Sequence, residues 1–319
     1  MDSKQIDISA IIVTWNAKEL TRSCLASLLR SPQPFTMEVI VVDNASQDGV
    51  ADMIAAGFPS VTLIRNPENA GFARANNQGI AIACGRYVCL INSDVEVPAN
   101  CLSEMLSYMA ANPSIGLLGP KMLCPDGSIG DSAMRWPSVS NAFWRALSFD
   151  TIPGISKFIP GALMRDFRYD RIADVEVLTG WFWMVRREAL EKVGGLDEQF
   201  FMYGEDIDWC KRFWNAGWRV VFFPKAEALH YGGASSSRAP IRNAVEMLRA
   251  RLQYVRKHHG MWGRIMFRIF LWIHHLIRVL GYGAVWLLRR SSQAAFKVKQ
   301  SLACLMYLAG SRSNRLAER

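Results

Sequence analysis

Short apolar runs alternate with stretches of helical period along most of this chain, and each run stops abruptly at polar or acidic residues. Ile6 to Val13 ends in Thr14-Trp15-Asn16, and a helical pattern follows from Ala17 to about Arg30. Glu38 to Val42 ends in Asp43-Asn44-Ala45-Ser46-Gln47-Asp48-Gly49, with another helix behind it. Val61 to Ile64 leads into Arg65-Asn66-Pro67-Glu68-Asn69-Ala70-Gly71 and a helix through about Cys84. Tyr87 to Ile91 ends in Asn92-Ser93-Asp94, and Pro98 suits the first turn of a helix reaching Ala111. Unbroken apolar strands between helices predict a parallel sheet covered on both faces. Open sheets of this kind bind ligands at the carboxyl ends of their strands, where these polar residues gather.

Ile115 to Leu118 reads as a further short strand. The region from about Lys121 to Asp174 has no regular period and carries Trp136-Pro137, Phe143-Trp144 and Phe158-Ile159-Pro160-Gly161. An insert of that length inside a domain is usually functional or mobile. Regular pattern resumes at Val175 to Leu178 and Thr179 to Val185, followed by a helix from Arg187 to about Val193 and a turn, Gly194 to Phe201. Glu205-Asp206 opens a helix running to about Ala216, Trp218 to Phe223 is a strand, and Leu229-His230-Tyr231-Gly232-Gly233 follows.

The character changes beyond about Ala239. Ile241 to His258 is a basic helix. Met261 to Leu288 is apolar but carries Arg264, Arg268, His275 and Arg278, which fall within roughly 80° of one another at helical spacing. Ile265, Ile269, Trp272, Ile273, Leu276, Ile277 and Leu280 occupy the remaining arc. Three arginines near the middle disfavour a spanning helix. The pattern predicts an amphipathic helix lying in a membrane interface, arginines toward lipid phosphates; the competing expectation is a helix packed on the globular domain by its apolar face. Ala294 to Leu308, with Lys297 and Lys299, is a weaker version of the same pattern, and Ser311 to Arg319 reads as a polar tail. The expected organisation is a domain over 1–239, with an irregular insert at about 121–178, and a basic helical region over 240–319.

Composition narrows the picture. The 319 residues, half of them apolar, suffice for one large domain with an appendage. A net charge of +9 and a pI of about 9.3 are compatible with nucleic acid, an anionic membrane or phosphorylated substrates. Seven scattered cysteines without a CxxC pair predict reduced thiols in a cytoplasmic setting. The polar start, Met1 to Asp7, lacks the layout of a secretory leader.

Four clusters carry candidate chemistry. Asp43 could accept a base imide N–H or a ribose hydroxyl, or serve only as a turn residue. The Asn-rich stretch 66–77 contains Gly71, which permits close backbone approach, and Arg74, which could pair with a phosphate; its plain alternative is a loop and helix cap. Glu205, Asp206 and Asp208 crowd a helix start, where capping competes with a role as proton acceptor. His230 is a structural histidine or, with Asp94, half of a cation site of mixed oxygen and nitrogen ligands.

In this order and spacing, the residues from Ile8 to Ser237 resemble the family 2 glycosyltransferases of the GT-A fold, most of all their bacterial rhamnosyltransferase branch. The resemblance rests on Ile12-Val13-Thr14-Trp15-Asn16, Val41-Val42-Asp43-Asn44-Ala45-Ser46, Asn69-Ala70-Gly71-Phe72-Ala73-Arg74-Ala75-Asn76-Asn77 and Leu90-Ile91-Asn92-Ser93-Asp94. Gly194 through Asp208 and Ala216-Gly217-Trp218 extend it. It implies an α/β, Rossmann-like, mostly parallel sheet flanked by helices, with C-terminal amphipathic helices outside the matched part. It implies an inverting enzyme that uses a nucleotide-sugar donor. Thr14, Asn16 and Asp43 would hold base and ribose, Arg74 and Asn77 would lie near the diphosphate, and Asn92, Ser93 and Asp94 would stand for the DxD motif. Asp94 would bind Mg²⁺ or Mn²⁺ with help from His230. The first acidic position of that motif is here Asn92, one carboxylate fewer.

By the same resemblance Asp206 is the catalytic base, Glu205 and Asp208 support it, and Thr179, Gly180 and Trp181 border the acceptor. The expectation is transfer of a sugar, L-rhamnose from dTDP-rhamnose first, to a lipid-linked glycan acceptor at the cytoplasmic face of the cell membrane. The enzyme would be peripheral there, act in surface polysaccharide synthesis and need no nucleic acid. The alternatives are a relative using another UDP- or dTDP-sugar, or a basic membrane- or nucleic-acid-binding module. A sugar-phosphate nucleotidyltransferase would need a basic Gly-rich loop after the first strand, and Thr14-Trp15-Asn16 is not one.

Overall fold

A computed structural model describes residues 6–30, 33–147, 164, 167–232 and 239–310. The stretch Phe158 to Gly161, Gly233 and the tail 311–319, all singled out above, lie outside the described residues. Contacts divide the chain into two units, 1–134 with 167–235 and 135–166 with 236–319.

In the first unit the chain runs β1 (Ile8–Thr14), α1 (Lys18–Leu29), β2 (Met37–Asp43), α2 (Val50–Gly57), β3 (Thr62–Arg65), α3 (Phe72–Ile82), β4 (Tyr87–Asn92), β5 (Val95–Glu96), α4 (Cys101–Ala111), β6 (Ile115–Leu123) and β7 (Ala133–Met134). After α5 (Val139–Ala146), which belongs to the second unit, it continues with β8 (Ala173–Asp174), β9 (Val177–Leu178), β10 (Phe182–Arg186), α6 (Arg187–Val193), α7 (Glu205–Asn215) and β11 (Arg219–His230). The main sheet has the order β3-β2-β1-β4-β10-β6-β11-β5, with β8 also on β11, and β7 pairs with β9 separately.

The strands β3, β2, β1 and β4 are parallel, as expected of apolar strands joined through helices. The sheet is nevertheless mixed, because β10 enters antiparallel between β4 and β6. Ile8, Ile12, Val39, Val41 and Cys89 are buried in the core together with Leu25 of α1, Ile54 of α2 and Met105 of α4. On α3, Gly79 lies so close to the sheet that a Cβ would meet Ile11 Cγ2 at 2.5 Å. Trp209 and Phe213 of α7 pack edge to face, and Trp209 meets Trp183 of β10.

Two expectations are corrected. Pro98 precedes the helix instead of opening it: the N–H of Cys101 bonds to the Pro98 carbonyl and α4 starts there. The 121–178 insert is more regular than its composition implied, since β6 runs on to Leu123 and α5, β7, β8 and β9 fall within it. Ser138 caps α5, its Oγ accepting from Asn141 N.

The second unit contains α5, α8 (Pro240–His258), α9 (Gly260–Arg289) and α10 (Ser292–Leu308). Here one part of the expectation for α9 is corrected: two of the arginines expected to face lipid phosphates engage a neighbouring helix. Arg268 donates to the Leu308 carbonyl at the end of α10, where a cation is favoured, and Arg278 Nε donates to Ser301 Oγ at 3.4 Å. These two arginines therefore engage the neighbouring helix. The apolar side is the open one: Trp262, Ile265, Ile269, Leu276 and Leu280 are exposed, while Phe267 and Leu271 are buried beside the basic side.

Candidate active site

The site is built at the carboxyl ends of β1, β2 and β4. Thr14, the last residue of β1, pairs in register with Asp43, the last of β2. Thr14 is buried and its hydroxyl shares a hydrogen bond with Thr21. Asp43 is also buried and accepts from Ser46 N at 3.1 Å, which bends the chain immediately after the strand. Asn16, in the left-handed region at φ 51, donates its N–H to Ser46 Oγ and accepts from Gln47 N. Asn16 and Asp43 are therefore joined through Ser46, with Thr14 beside Asp43 in the sheet register.

Asn44, to which the sequence reading gave no role of its own, is the hub beside it. Its Nδ2 donates to Asn69 Oδ1 and to the Gly71 carbonyl, and its Oδ1 accepts from Asn66 Nδ2 and Ala70 N. A buried amide with both ends used holds the 66–71 loop against β2. Only the density of asparagines hinted at it. Gly71 sits at φ +83, and an added Cβ would meet the Phe201 carbonyl oxygen at 2.5 Å. That carbonyl accepts from Phe72 N, so the start of α3 is fastened to the 194–204 turn.

Arg74, one turn into α3, is exposed and has no ion pair among the described residues. Asn77 is engaged differently: its Nδ2 donates to the Leu196 carbonyl and to Glu198, and its Oδ1 accepts from Leu196 N. Its amide thus fastens the same turn.

At the end of β4, Asn92 N donates to the Trp181 carbonyl. Two residues on, Asp94 Oδ1 lies 3.1 Å from His230 Nε2. The sheet itself makes this meeting: β5 pairs antiparallel with the end of β11, with His230 opposite Val95, and Tyr231 N donates to the Asp94 carbonyl. A register shift within β11 between Phe223 and Glu227 separates its last residues from the regular part of the strand. The His230 ring stacks on the Trp181 indole at 5.4 Å and 22°. Trp181 is buried, so its face carries the imidazole instead of standing open to a sugar.

The donor set fits a divalent cation. One carboxylate and one imidazole converge at the strand ends, and among the described residues no third acidic, His or Cys side chain joins them. Such a pair leaves most of the coordination sphere to phosphate oxygens and water, as Mg²⁺ and Mn²⁺ require when held jointly with a substrate.

The acidic cluster sorts into three roles. Gly204 in the left-handed region at φ 82 starts α7, and Asp206 follows in the first turn, its Oδ1 accepting from Ile207 N at 2.8 Å. Burial pushes the Asp206 carboxyl above the ordinary carboxylate range, while backbone N–H groups of Ile207, Gly180 and Gly204 pull the other way. Glu205 is buried more deeply. One of its oxygens has no hydrogen-bond partner, and burial, with the Asp206 charge adding to it, holds this group well above its usual value. Asp208 is fully buried and bound to Arg212 at 2.9 Å, whose other nitrogens donate to the Val193 and Gly195 carbonyls. Asp208 is a structural anchor for the turn.

Gly180 connects the two halves of the site. A Cβ there would lie 3.5 Å from that of Asp206, and the next residue, Trp181, supports His230. Thr179 fixes this segment by donating from Oγ1 to the Asp131 carbonyl and from N to Ser132.

The protein-family model for glycosyl transferase family 2 matches residues 9–194, and that for the N-terminal domain of galactosyltransferase matches 165–232. An N-acetylglucosaminyl-diphospho-decaprenol L-rhamnosyltransferase of Mycobacterium tuberculosis is 29% identical over 278 residues, covering 82% of this chain and 88% of that protein. Glycosyltransferase AglE of Haloferax volcanii is 24% identical over 276 residues, 83% of this chain and 79% of its own. Mannosyltransferase PcManGT from Pyrobaculum calidifontis, in complex with GDP-Man and Mn²⁺, shares the fold with a TM-score of 0.55 at 17% identity, over 98% of this chain and 89% of that one. With the family match spanning more than half of its length, this chain belongs to glycosyl transferase family 2 and is a glycosyltransferase of the GT-A fold.

Proposed function

We propose that the chain is an inverting glycosyltransferase that moves L-rhamnose from dTDP-rhamnose to a hydroxyl of a lipid-linked glycan in bacterial surface polysaccharide synthesis. The observation that carries this reading is the continuity of the site. A carboxylate with raised proton affinity, Asp206, lies against Gly180, and Gly180-Trp181 leads directly to His230 and Asp94. The resemblance to the mycobacterial rhamnosyltransferase supports the choice of sugar and of lipid-linked acceptor.

In this mechanism Asp206 accepts the proton of the acceptor hydroxyl. The freed oxygen bonds to the anomeric carbon from the face opposite the leaving group. The bond from that carbon to the diphosphate oxygen breaks, and the nucleoside diphosphate leaves with the electron pair, inverting the configuration. The transition state is oxocarbenium-like, as in glycoside hydrolysis. A raised proton affinity makes Asp206 a stronger base once ionised. Burial favours the neutral form of Glu205, which limits its repulsion of an ionised Asp206 beside it.

Thr14, Asn16 and Asp43 orient base and ribose, and exposed Arg74 offers its guanidinium to the diphosphate. Asn92 and Ser93 complete the donor edge beside Asp94. Asp94 and His230 would hold a divalent cation, which supplies charge neutralisation to the departing diphosphate. Thr179 and Gly180 border the acceptor, with Trp181 acting through His230.

The open apolar face of α9 supports peripheral attachment to a membrane through the helical unit, and the proposed reading puts that membrane surface on the cytoplasmic side. Thermal-shift measurements with dTDP, UDP and GDP, each with and without Mn²⁺, test the donor assignment. The reading expects the largest stabilisation from dTDP with metal. A larger shift with UDP or GDP would reassign the nucleotide, and no shift with any nucleotide would remove the donor site.

A further inference from the structure

The aromatic face that the sequence offers to a sugar, Trp181, is buried and stacked under His230. Other aromatic side chains do stand open, and they are few. Among the described residues of the sheet unit, the exposed ones are Trp15, Phe201 and Tyr231, at 37%, 38% and 39%. Single exposed apolar residues are ordinary on a protein surface, but these three are not scattered. Trp15 follows β1 between Thr14 and Asn16. Phe201 has its ring edge against Gly71, where an added Cβ would meet Cδ2 at 2.7 Å. Tyr231 directly follows His230. All three border the candidate active site.

Tyr231 differs from the other two in what holds it. Its N–H donates to the Asp94 carbonyl at 2.9 Å, and its hydroxyl donates to Glu96 Oε1 at 2.8 Å. Backbone and phenol are thus both tied to the 94–96 segment, which itself pairs with the end of β11. Glu96 spends one carboxylate oxygen on the phenol, and its other oxygen accepts no hydrogen bond among the described residues. The result is a fixed aromatic ring with a spare acceptor beside it, next in the chain to the Asp94–His230 pair.

A pyranose carries C–H groups on its ring faces and hydroxyls around its rim. An aromatic face packs against the first, and a carboxylate oxygen accepts from the second. Holding the phenol in place beforehand removes the ordering cost that a free side chain would bear on binding. We propose that Tyr231 and Glu96 form a subsite for a pyranose ring, which stacks on the Tyr231 phenol while one of its hydroxyls donates to Glu96. The subsite rests on the proposed placement of the donor diphosphate at Asp94 and His230, which brings sugar to this edge. Two rings come there, the one being transferred and the one at the end of the acceptor, and the experiment separates them.

Calorimetry on the full chain with Mn²⁺ reads the donor arm as a ratio, the affinity for dTDP-rhamnose over that for dTDP. Initial rates with a polyprenyl-diphosphate N-acetylglucosamine read the acceptor arm as a KM. Tyr231→Leu removes the aromatic face; Glu96→Gln keeps an acceptor for the phenol and removes the carboxylate. Each should worsen one of the two readings about fivefold, and Tyr231→Trp should hold it near the parent's value. A lower ratio assigns the subsite to the transferred sugar, a higher KM to the acceptor sugar. The affinity for dTDP alone should stay at the parent's value throughout. If it falls by the same factor as that for dTDP-rhamnose, Tyr231 only braces the metal pair and the subsite is overturned, as it is if both readings are unchanged. Should Tyr231→Leu fail to fold, Glu96→Gln decides. A parent that binds another nucleoside diphosphate in place of dTDP sinks the donor assignment alone, and the ratio is then read on that nucleotide and its sugar. A parent that transfers to no lipid acceptor sinks that acceptor alone, and the donor ratio decides the subsite.

Discussion

In the sheet unit, β1, β2 and β4 bury continuous apolar faces and deliver Asp43, Asp94 and their neighbours to one edge; in the helical unit, α9 leaves its apolar side exposed while Arg268 and Arg278 of its basic side bond to α10. The residue types are similar and the facing is opposite. In the sheet unit the apolar surface has other apolar surface to meet, so polar groups are displaced to strand ends and become the site. On α9 the polar groups have found partners on α10, and the apolar stripe has none among the described residues. A protein surface of that extent is normally an interaction surface. Under the proposed function the two units meet different surroundings, water at the donor site and lipid at α9.

The comparison breaks first at Asp206. Asp206→Asn should lower the turnover number about a thousandfold, the scale of a lost general base, with dTDP binding retained. Retained activity would remove Asp206 from the mechanism. The pH profile sharpens the same point. The base must be ionised, so activity should fall as pH drops through a value above the ordinary carboxylate range, following the raised proton affinity of Asp206.

The next effect belongs to the other unit. Replacing Ile269 and Leu276 together by Asp puts two charges on the open stripe, where each apolar side chain contributes roughly 1.5–3 kcal/mol when removed from water. Vesicle binding should fall well over tenfold while the melting temperature stays within a degree or two. If the pair melts early instead, the stripe is covered in the protein and the lipid reading fails.

Gly71→Ala should cost about 2 kcal/mol, seen as a lower unfolding midpoint in urea. Positive φ and the Phe201 carbonyl oxygen both oppose a side chain there. An unchanged midpoint would mean that the fastening of the α3 start to the 194–204 turn is not rigid.

The smallest effect is a gain. Glu205 binds its proton more tightly folded than unfolded, so wild-type stability declines as pH rises from the ordinary carboxylate value toward the raised one. Glu205→Gln lacks that loss. Its advantage, about 1 kcal/mol at pH 8, should vanish near pH 4. A variant that is equally stable relative to the parent at both pH values would show that Glu205 is not held protonated.

Much of this was legible in the sequence, for a physical reason. Buried parallel strands must be continuously apolar, so β1, β2 and β4 announce themselves, and the polar residue that ends each one is a strand-end residue by necessity. That locates Thr14, Asp43 and Asn92 at strand ends, with Asp94 two residues on. The Asp94–His230 contact joins positions 136 residues apart through a two-residue strand, β5, and nothing local signals such a pairing. The antiparallel entry of β10 is equally silent, because an apolar run has no direction. Trp181 is a related case: an exposed and a buried indole look alike in sequence, and only the fold shows His230 covering it. For α9 the period revealed two faces, but a periodicity does not say what each face meets. Which face turns inward depended on α10 presenting Ser301 and the Leu308 carbonyl.

The most direct measurement is transfer itself: dTDP-rhamnose labelled in the sugar, a polyprenyl-diphosphate N-acetylglucosamine acceptor in vesicles, Mn²⁺ and the full chain. The account predicts label moving to the lipid with inverted anomeric configuration, abolished by Asp206→Asn. Label transferred with retained configuration, or equally well by Asp206→Asn, would contradict it.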